Sequence, residues 1–511
     1  MCKRSRDSTI GRRTRLDPDC LDEHVNRQEV GVTLPQSGEQ QLVIVSNRLP
    51  IVLSKDENGA WQARPGSGGL VTALAPVLRS RGGTWIGWPG TVKEDAIDLE
   101  PLLASATQDA GYALTPVELT EEEREKFYLG FANEIIWPLF HDLQSHCRFE
   151  PSYWKCYEDV NRAFAQAVVP YAQSGTYLWV QDYHLMNVAQ ELRNLQADCQ
   201  AGFFLHIPFP PPDIFLKLPW RTRVLEGLLE YALVGFQAER DLRNFVDCVR
   251  VLFKDTVVEE AEHTYTLRRN GRTTRLGFFP IGIDFDEFAQ HAESEAVADA
   301  AWALREALPR RQLILGVDRL DYTKGIPQRL EAFRQALLRY PDLHGKITFV
   351  QVVIPSRTDI PEYADLKTEI ERLVGEINGQ FTQPGWVPIH YLFRSLDRTE
   401  LLAYYRSAEI ALITPLKDGM NLVAKEYCAS SIETGVLILS EFAGAAPQMA
   451  AGALLVNPYD VYGVADAIYQ AATMSEEERR SRLASLRDVV RQQDIYWWVN
   501  TFLQTGTNHA G

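Results

Sequence analysis

The stretch IALITPLKDGMNLVAKEY, residues 410–427, indicates how this chain folds. A short, continuously apolar run ends in Lys-Asp-Gly-Met-Asn and passes directly into a helix-like segment. Apolar runs of this kind are typical of strands that are buried on both faces of a parallel sheet. Asp418 lies in the turn, and Lys425 and Glu426 follow in the predicted helix. The stretch therefore predicts a strand–loop–helix unit with charged residues beyond the carboxyl end of the strand.

The same pattern recurs along the chain. Similar apolar runs start at residues 42, 176, 201, 233, 312, 346, 410, 435 and 453. Helical patterns such as LVTALAPVLRSR and PQRLEAFRQALLRY lie between most of them. A βαβ series of this kind predicts doubly wound parallel sheets of the α/β class, and the strands are too many for one sheet of usual size. We therefore expect two Rossmann-like domains, residues 41–285 and 286–511, with the last helix a candidate to pack back on the first domain.

Composition limits the class of protein. With 511 residues, 45% hydrophobic and 23% charged, the chain is predicted to be globular with two or more domains. A net charge of −16 argues against nonspecific binding to nucleic acid or to an anionic membrane. Seven scattered cysteines without a C-x-x-C pair, and no apolar run of membrane-spanning length, favour a cytoplasmic protein without a zinc site. Residues 1–40 mix both charges and are predicted to be a poorly ordered extension.

Polar residues that follow the predicted strands are the candidate ligand contacts, because open parallel sheets bind ligands at the carboxyl ends of their strands. Arg48 directly follows the first strand. Gly66, Gly68 and Gly69 precede a predicted helix, where the backbone can approach an anion closely. A bare turn would have the same glycines, so both interpretations stay open for this loop.

Arg319 and Lys324 lie five residues apart where a strand passes into a helix. In an acidic chain this pair is a candidate diphosphate clamp, since arginine can bind two phosphate oxygens and lysine adds a compact charge. The alternative is an Arg–Asp surface bridge within the sequence DRLD. Arg357 follows another apolar strand in the same way.

Three more polar residues follow strands in the first half of the chain, namely Asp182, His184 and His206. A single histidine at a strand end is more often structural than catalytic. Polar residues at the ends of two strands make a ligand-binding site at this edge of the sheet a stronger hypothesis.

The opening stretch predicts one further feature. If its helix begins near Gly419, free amides and the positive end of the helix dipole point toward a ligand. Asp418 could accept hydrogen bonds from sugar hydroxyls, and Glu426 lies about two turns further, some 10 Å at 1.5 Å per residue. That separation matches the reach of a nucleotide sugar. A capping Asp418 and a solvated Glu426 are the alternative.

Ten motifs together closely resemble those of the trehalose-6-phosphate synthases of glycosyltransferase family 20, in order from about residue 42 to about residue 500. They are VSNRLP, GSGGL, WIGWPG, FYLGFANEIIWPLFH, VQDYHLM, FFLHIPFPPPDIF, GVDRLDYTKGIPQRL, PSRTDIPEY, TPLKDGMNLVAKEY and SEFAGAAPQM. The resemblance implies a GT-B fold, in which two Rossmann-like domains face a central cleft. It also implies transfer of glucose from a nucleotide-diphosphate glucose, UDP-glucose by default, to glucose 6-phosphate with retention of configuration.

The resemblance also implies site residues. The implied catalytic residues are Arg319, Lys324, His206, Asp182 and Asp418. The implied donor-binding residues are Gly68, Gly69, His206, Arg319, Lys324, Asp418, Gly419, Met420, Asn421, Leu422, Val423 and Glu426. The implied acceptor-binding residues are Arg48, Trp88, Tyr128, Trp137, Asp182 and Arg357. Gln181 departs from the family pattern, in which histidine is common at this position.

In similar enzymes the leaving diphosphate is proposed to help deprotonate the acceptor hydroxyl, so neither a metal ion nor a cofactor is expected. Two alternatives within the family stay open, a glucosylglycerol-phosphate synthase that uses glycerol 3-phosphate and a non-catalytic regulatory relative. A two-domain dehydrogenase is disfavoured because no G-x-G-x-x-G opens a helix after a predicted strand. The nucleobase of the donor, formation of a homo-oligomer and the role of the extension are not determined by the sequence.

Overall fold

The computed structural model of the protein describes residues 41–56, 58–66, 69–173, 175–197, 199–261, 264–308, 311–356 and 361–507. The extension predicted for residues 1–40 lies outside these described residues.

Two parallel sheets dominate the structure. The strands are β1 (Gln41–Arg48), β2 (Ile51–Lys55), β3 (Trp61–Pro65), β4 (Thr84–Trp88), β5 (Ala113–Pro116), β6 (Thr176–Gln181), β7 (Gln200–Phe204), β8 (Leu233–Phe236), β9 (Val257–Ala261), β10 (Thr264–Arg269), β11 (Arg272–Phe278), β12 (Gln312–Arg319), β13 (Ile347–Ile354), β14 (Ile389–Phe393), β15 (Ile410–Ile413), β16 (Val436–Ser440) and β17 (Leu454–Val456). A nine-stranded sheet has the order β5-β4-β1-β6-β7-β8-β11-β10-β9, and a six-stranded sheet has the order β14-β13-β12-β15-β16-β17. Strands β2 and β3 pair separately.

Every strand that the apolar runs predicted is present, and the prediction of a two-sheet α/β fold of the GT-B type is confirmed. The six-stranded sheet is parallel throughout, with Gln312 to Arg319 in register with Ile347 to Ile354. The nine-stranded sheet is parallel from β5 to β11 and ends in the antiparallel strands β10 and β9. The runs did not include the strands β2, β3, β4, β5, β9, β10, β11 and β14. Of these, β9 and β10 have charged sequences that lack a continuous apolar run.

Helices cover both faces of the sheets. The α-helical segments are Gly69–Arg81, Leu99–Ala110, Glu121–Glu123, Trp137–Phe140, Pro151–Val168, Val188–Asn194, Pro212–Phe215, Arg221–Leu228, Glu239–Leu252, Phe285–Glu293, Glu295–Ala307, Ile326–Arg339, Pro361–Phe381, Arg398–Ser407, Leu422–Ser430, Ala446–Met449, Val461–Thr473, Glu476–Gln492 and Ile495–Thr507. A π-helical segment, Arg124–Ile136, joins two of them into one continuous helix. Short 3₁₀ turns lie at Lys93–Asp95, Gln144–His146, Val169–Tyr171, Tyr183–Leu185, Tyr322–Lys324 and Pro341–Leu343.

The C-terminal helix Ile495–Thr507 packs on the nine-stranded sheet. The ring centroids of Trp498 and Phe502 lie 5.0 and 4.5 Å from that of Trp179 on β6. We call this sheet, its connecting helices and the C-terminal helix the first lobe. The six-stranded sheet and the helices from Phe285 to Gln492 are the second lobe.

Two chain segments connect the lobes and lie side by side. The backbone N–H of Ile495 donates to the carbonyl of Ile283 over 3.0 Å. A Cβ on Gly282 would approach the carbonyl carbon of Asp494 to 2.2 Å, so no larger residue fits there without movement. The close pairing of these connections brings the carboxyl ends of the two sheets to opposite sides of one cleft.

Candidate active site

Arg319 ends β12 with an exposed side chain. Among the described residues it forms no hydrogen bond or ion pair, because both neighbouring aspartates are engaged elsewhere. Asp318 pairs with the buried Arg329, and Asp321 accepts from the backbone and side chain of Thr323. The alternative of an Arg–Asp bridge within DRLD therefore finds no support in the described contacts, and the exposed guanidinium has no counterion from its own loop.

Lys324 and Asp418 form an ion pair. The Lys324 ammonium donates to Asp418 Oδ2 over 2.5 Å, and the two side chains are only 14% and 10% exposed. Burial by itself would raise the pKa of Asp418, but the Lys324 ammonium and the N–H of Met420 hold that pKa below its usual value. The aspartate is therefore ionised at neutral pH and holds the lysine in one place.

The helix after Asp418 begins at Leu422, not near Gly419 as predicted. Asn421 adopts a left-handed conformation with φ 65°, and its Oδ1 accepts from the N–H of Ala424 over 3.1 Å. Asparagine tolerates this conformation and is a strong N-cap, which explains the later start. Residues 419–421 thus form a loop between Asp418 and the helix. Glu426 accordingly lies little more than one turn into the helix.

Glu426 is held by a tyrosine of a neighbouring helix. The hydroxyl of Tyr405 donates to Glu426 Oε2 over 2.8 Å. Burial raises the pKa of Glu426, while the Tyr405 hydrogen bond and the charge of Arg398 act in the opposite direction. The alternative of a freely solvated Glu426 is wrong.

Asp182 begins the corresponding loop of the first lobe. Its backbone has φ 72° and ψ 169°, a region that is populated almost only by glycine. Its Oδ1 accepts from the backbone N–H of His206 over 3.1 Å. Burial raises the pKa of Asp182 to about 7. A strained backbone and a perturbed carboxyl together are characteristic of a functional position.

The His206 ring is held on both sides by glutamines. Its Nε2 lies 2.9 Å from Gln181 Oε1, and the side-chain amide of Gln237 donates to Nδ1 over 3.3 Å. These contacts place the ring proton on Nε2, and burial lowers the pKa of His206 to about 3. The imidazole is therefore neutral at physiological pH.

An aromatic wall continues the first-lobe side of the cleft. The guanidinium carbon of Arg48 lies 4.5 Å from the centroid of the buried Trp88 ring. Trp88 contacts Tyr128 at 5.6 Å between centroids, and Tyr128 stacks on His184 at 5.9 Å. Tyr128 belongs to the π-helical segment, a geometry that recurs at functional sites.

Trp137 lies at the end of that segment. Its ring contacts Tyr183 at 5.9 Å and His141 at 4.3 Å between centroids. The predicted acceptor residues in the described part of the first lobe thus lie at the ends of three strands, β1, β4 and β6, and in one continuous helix.

The two sides of the cleft touch at two glycines. A Cβ on Gly69 would lie 2.4 Å from Leu422 Cδ1, and a Cβ on Gly419 would lie 2.2 Å from the carbonyl oxygen of His206. Met420 and Val423 are partly buried beside these contacts. Gly68 and Arg357 lie outside the described residues.

Three buried or half-buried cations in the second lobe were not predicted as site residues. Arg329 donates to Thr414 Oγ1 and to the carbonyl of Lys324, so it connects the segments that follow β15 and β12. Lys425 donates to the Ile281 carbonyl over 2.7 Å and to Gln448, and burial lowers its pKa to about 7. Lys417 pairs with Asp142 of the first lobe. An arginine on the apolar face of PQRLEAF is the only sequence signal among these.

In the described part of the chain, no cluster of three or more His, Cys, Asp or Glu side chains could hold a metal ion. Within the same residues no helix is long and apolar enough to cross a membrane.

Comparison with known proteins identifies the family. The profile of glycosyltransferase family 20 matches residues 40–508. A trehalose-6-phosphate synthase of Mycolicibacterium vanbaalenii is 43% identical over 474 residues, which cover 92% of this chain and 96% of that protein. The chain belongs to glycosyltransferase family 20.

Solved structures agree with this assignment. An alpha,alpha-trehalose-phosphate synthase (UDP-forming) from Burkholderia xenovorans in complex with glucose-6-phosphate superposes with a TM-score of 0.82 at 33% identity, covering 92% of this chain and all of that one. A related E. coli protein bound with UDP-2-fluoro glucose gives 0.82 at 37% identity and covers 92% and 99% of the two chains.

Proposed function

We propose that this chain is a retaining glycosyltransferase that moves glucose from a nucleotide-diphosphate glucose, UDP-glucose by default, to glucose 6-phosphate. The product is α,α-trehalose 6-phosphate. Family membership over residues 40–508 and the relatives named above support the reaction. The site observation that carries the proposal is Arg319, which pairs with none of the described residues, beside the ion pair of Lys324 and Asp418 and opposite the strained Asp182.

We assign the donor to the second-lobe side of the cleft. Arg319 and Lys324 bind the diphosphate, because they are the cations that this side presents at the carboxyl end of β12. Asp418 accepts from sugar hydroxyls through the oxygen that it does not share with Lys324. The loop 419–423 offers backbone amides, and Glu426 binds the ribose, held in place by Tyr405.

We assign the acceptor to the aromatic wall of the first lobe. Arg48 and Tyr128 bind the phosphate, with Trp88 positioning the guanidinium at 4.5 Å. Trp137 and Asp182 contact the sugar. Arg357 is proposed as a second phosphate ligand on the resemblance alone.

The proposed transfer takes place on one face of the donor sugar. The bond between glucose C1 and the diphosphate oxygen breaks, and the bond between C1 and the acceptor oxygen forms on the same face. The proton of the acceptor hydroxyl passes to the departing phosphate. Arg319 and Lys324 stabilise the charge that develops on the leaving group, which is electrostatic catalysis by preorganised groups. His206 is neutral and held by two glutamines, so we assign it a role in shaping the donor pocket rather than in proton transfer.

The proposal is tested by pairing glucose 6-phosphate or glycerol 3-phosphate in turn with UDP-, ADP- and GDP-glucose. Nucleotide release and the anomeric NMR spectrum of the product are measured on the purified chain. Release only with glucose 6-phosphate, with an α,α-linked disaccharide phosphate as product, is the expected result. Release only with glycerol 3-phosphate would overturn the acceptor assignment. No release from a folded chain with any pair would favour a non-catalytic relative.

We also propose that the lobes are two domains divided near residue 285, supported by the end of one sheet at Phe278 and the start of the other at Gln312. A cytoplasmic location is proposed because no disulfide joins the five described cysteines, as is usual in a reducing compartment. Whether copies of the chain associate is tested by light scattering.

A further inference from the structure

Lys417 and Asp142 form an ion pair across the cleft. The Lys417 ammonium, on the second lobe, donates to Asp142 Oδ2 of the first lobe over 2.6 Å. The Lys417 side chain is 11% exposed and that of Asp142 is 44% exposed. The two residues are 275 positions apart in the chain, so the contact exists only when the lobes are close together.

The surroundings of Lys417 are acidic on the first-lobe side. Asp241 is fully buried, and its Oδ1 accepts no hydrogen bond from a described residue. The charge of Lys417 acts on Asp241 as well as on Asp142. His141, next to Asp142, is neutral because burial lowers its pKa to about 4. Lys417 therefore faces the carboxyl groups of Asp142 and Asp241 from the second lobe. The first lobe's own Arg240 also lies 3.9 Å from Asp241 Oδ1, so Asp142 is the carboxyl group that pairs with Lys417 directly.

The ion pair lies directly beside the proposed donor site. Lys417 precedes Asp418, which binds Lys324, and Gly419 lies against the His206 backbone. Close by, the ring of Tyr322 on the second lobe stacks on His146 of the first lobe, 5.1 Å between centroids. A change in the distance between Lys417 and Asp142 must therefore move the Asp418 loop relative to the strand ends of the first lobe.

We propose that Lys417 and Asp142 are positioning residues of the transfer: their ion pair sets the distance between the Asp418–Lys324 pair and the His206 side of the cleft. This inference rests on the proposed function. Neither residue was predicted as a ligand contact. Lys417 acts through Asp142. Breaking the pair lets the lobes separate, although all the residues that are proposed to bind substrate are unchanged.

The experiment compares four variants of the full chain, Lys417→Met, Asp142→Asn, the double variant and Lys417→Arg. Asparagine suits position 142, because φ there is 61°. Lys155→Met is the matched control, since it removes the same charge from an exposed pair within one helix. Thermal unfolding of each variant identifies any that does not fold.

The first readout is steady-state kinetics with UDP-glucose and glucose 6-phosphate. We expect Lys417→Met and Asp142→Asn each to lower kcat/KM for the donor about tenfold. The double variant is expected to be no worse than either single variant, because the two residues act through one contact. Lys417→Arg should restore most of the activity. If Lys417→Met lowers activity while Asp142→Asn does not, Lys417 contacts substrate directly and the proposal is wrong.

The second readout does not depend on turnover. The radius of gyration from small-angle X-ray scattering is expected to be larger for Lys417→Met than for Lys155→Met without ligand, and to contract when UDP is added. Equal radii for the two variants would overturn the proposal. If the unmodified chain transfers glucose to neither acceptor, the proposed function fails, and the scattering comparison still decides whether the ion pair holds the lobes together.

Discussion

The two sides of the cleft are built on the same kind of parallel sheet but carry different chemistry. On the second-lobe side, Arg319, Lys324 and Asp418 are charged, and the lysine and aspartate stabilise each other's charge at 2.5 Å. On the first-lobe side, His206 is neutral and the pKa of Asp182 is raised to about 7. Sheet topology therefore determines where a site forms, while local burial and pairing determine which side can stabilise a developing charge.

The strongest test of this difference is removal of Arg319, the cation for which the described part of the chain supplies no counterion. We expect Arg319→Ala to lower kcat by roughly 10²-fold or more, as for the loss of one charge-stabilising donor. Arg480→Ala is the control, because Arg480 is exposed and pairs with Glu476 on its own helix. Near-normal turnover by folded Arg319→Ala would show that Arg319 does not stabilise the charge that develops on the leaving group.

A smaller effect on activity is expected when an added methyl group pushes the two sides of the cleft apart. In Gly419→Ala the new Cβ would lie 2.2 Å from the carbonyl oxygen of His206, so the loop must shift. We expect kcat/KM to fall about tenfold and the melting temperature to fall as well, because the clash is with backbone atoms and a misplacement of about 1 Å can lower a rate by up to about 10²-fold. Gly375→Ala, which meets no atom within 4 Å, provides the control. Equal activities of the two variants would show that this contact is dispensable.

The raised pKa of Asp182 on the first-lobe side can be measured through stability. A carboxyl whose pKa is raised on folding binds a proton in the native state that the unfolded chain has released, so stability falls as the pH rises toward that pKa. For Asp182 the fall ends at about pH 7. Asp182→Asn should therefore gain about 2 kcal/mol relative to the unmodified chain between pH 5.5 and 7, at about 1.4 kcal/mol per pKa unit.

Urea unfolding at several pH values gives this difference, and Asp488→Asn supplies the baseline for an exposed aspartate. Parallel curves for the two variants would mean that Asp182 ionises normally. Asp182 would then be fully ionised at neutral pH, like Asp418.

The smallest expected effect is that of metal removal. Because fixed cations are proposed to neutralise the leaving diphosphate, turnover should be unchanged after treatment with EDTA and exchange into metal-free buffer. Loss of activity that Mg²⁺ restores would show that Arg319 and Lys324 do not suffice.

Much of the architecture could be predicted from short segments. Every apolar run became a strand, because burial on both faces of a parallel sheet requires continuous apolar sequence. Arg319 and Lys324 were predicted as a pair for a similar reason, since their positions after a strand place them at a ligand-binding edge. The start of the helix at Leu422 was not predicted. Both Gly419 and Asn421 are residue types that can precede a helix, and only the left-handed conformation of Asn421 in the structure shows that it is the N-cap.

The sequence by itself thus determined the fold class, the family motifs and the residues at the strand ends, because these depend on local patterns of burial and turn chemistry. Only the tertiary structure determined which of these side chains pair with one another. Lys324 meets Asp418 across 94 residues, and Lys417 meets Asp142 across 275. His206 is neutral because the folded chain buries its ring, and glutamines at the ends of two other strands hold that ring in place. Such pairings depend on which elements come together when the lobes form, and no local pattern in the sequence records that.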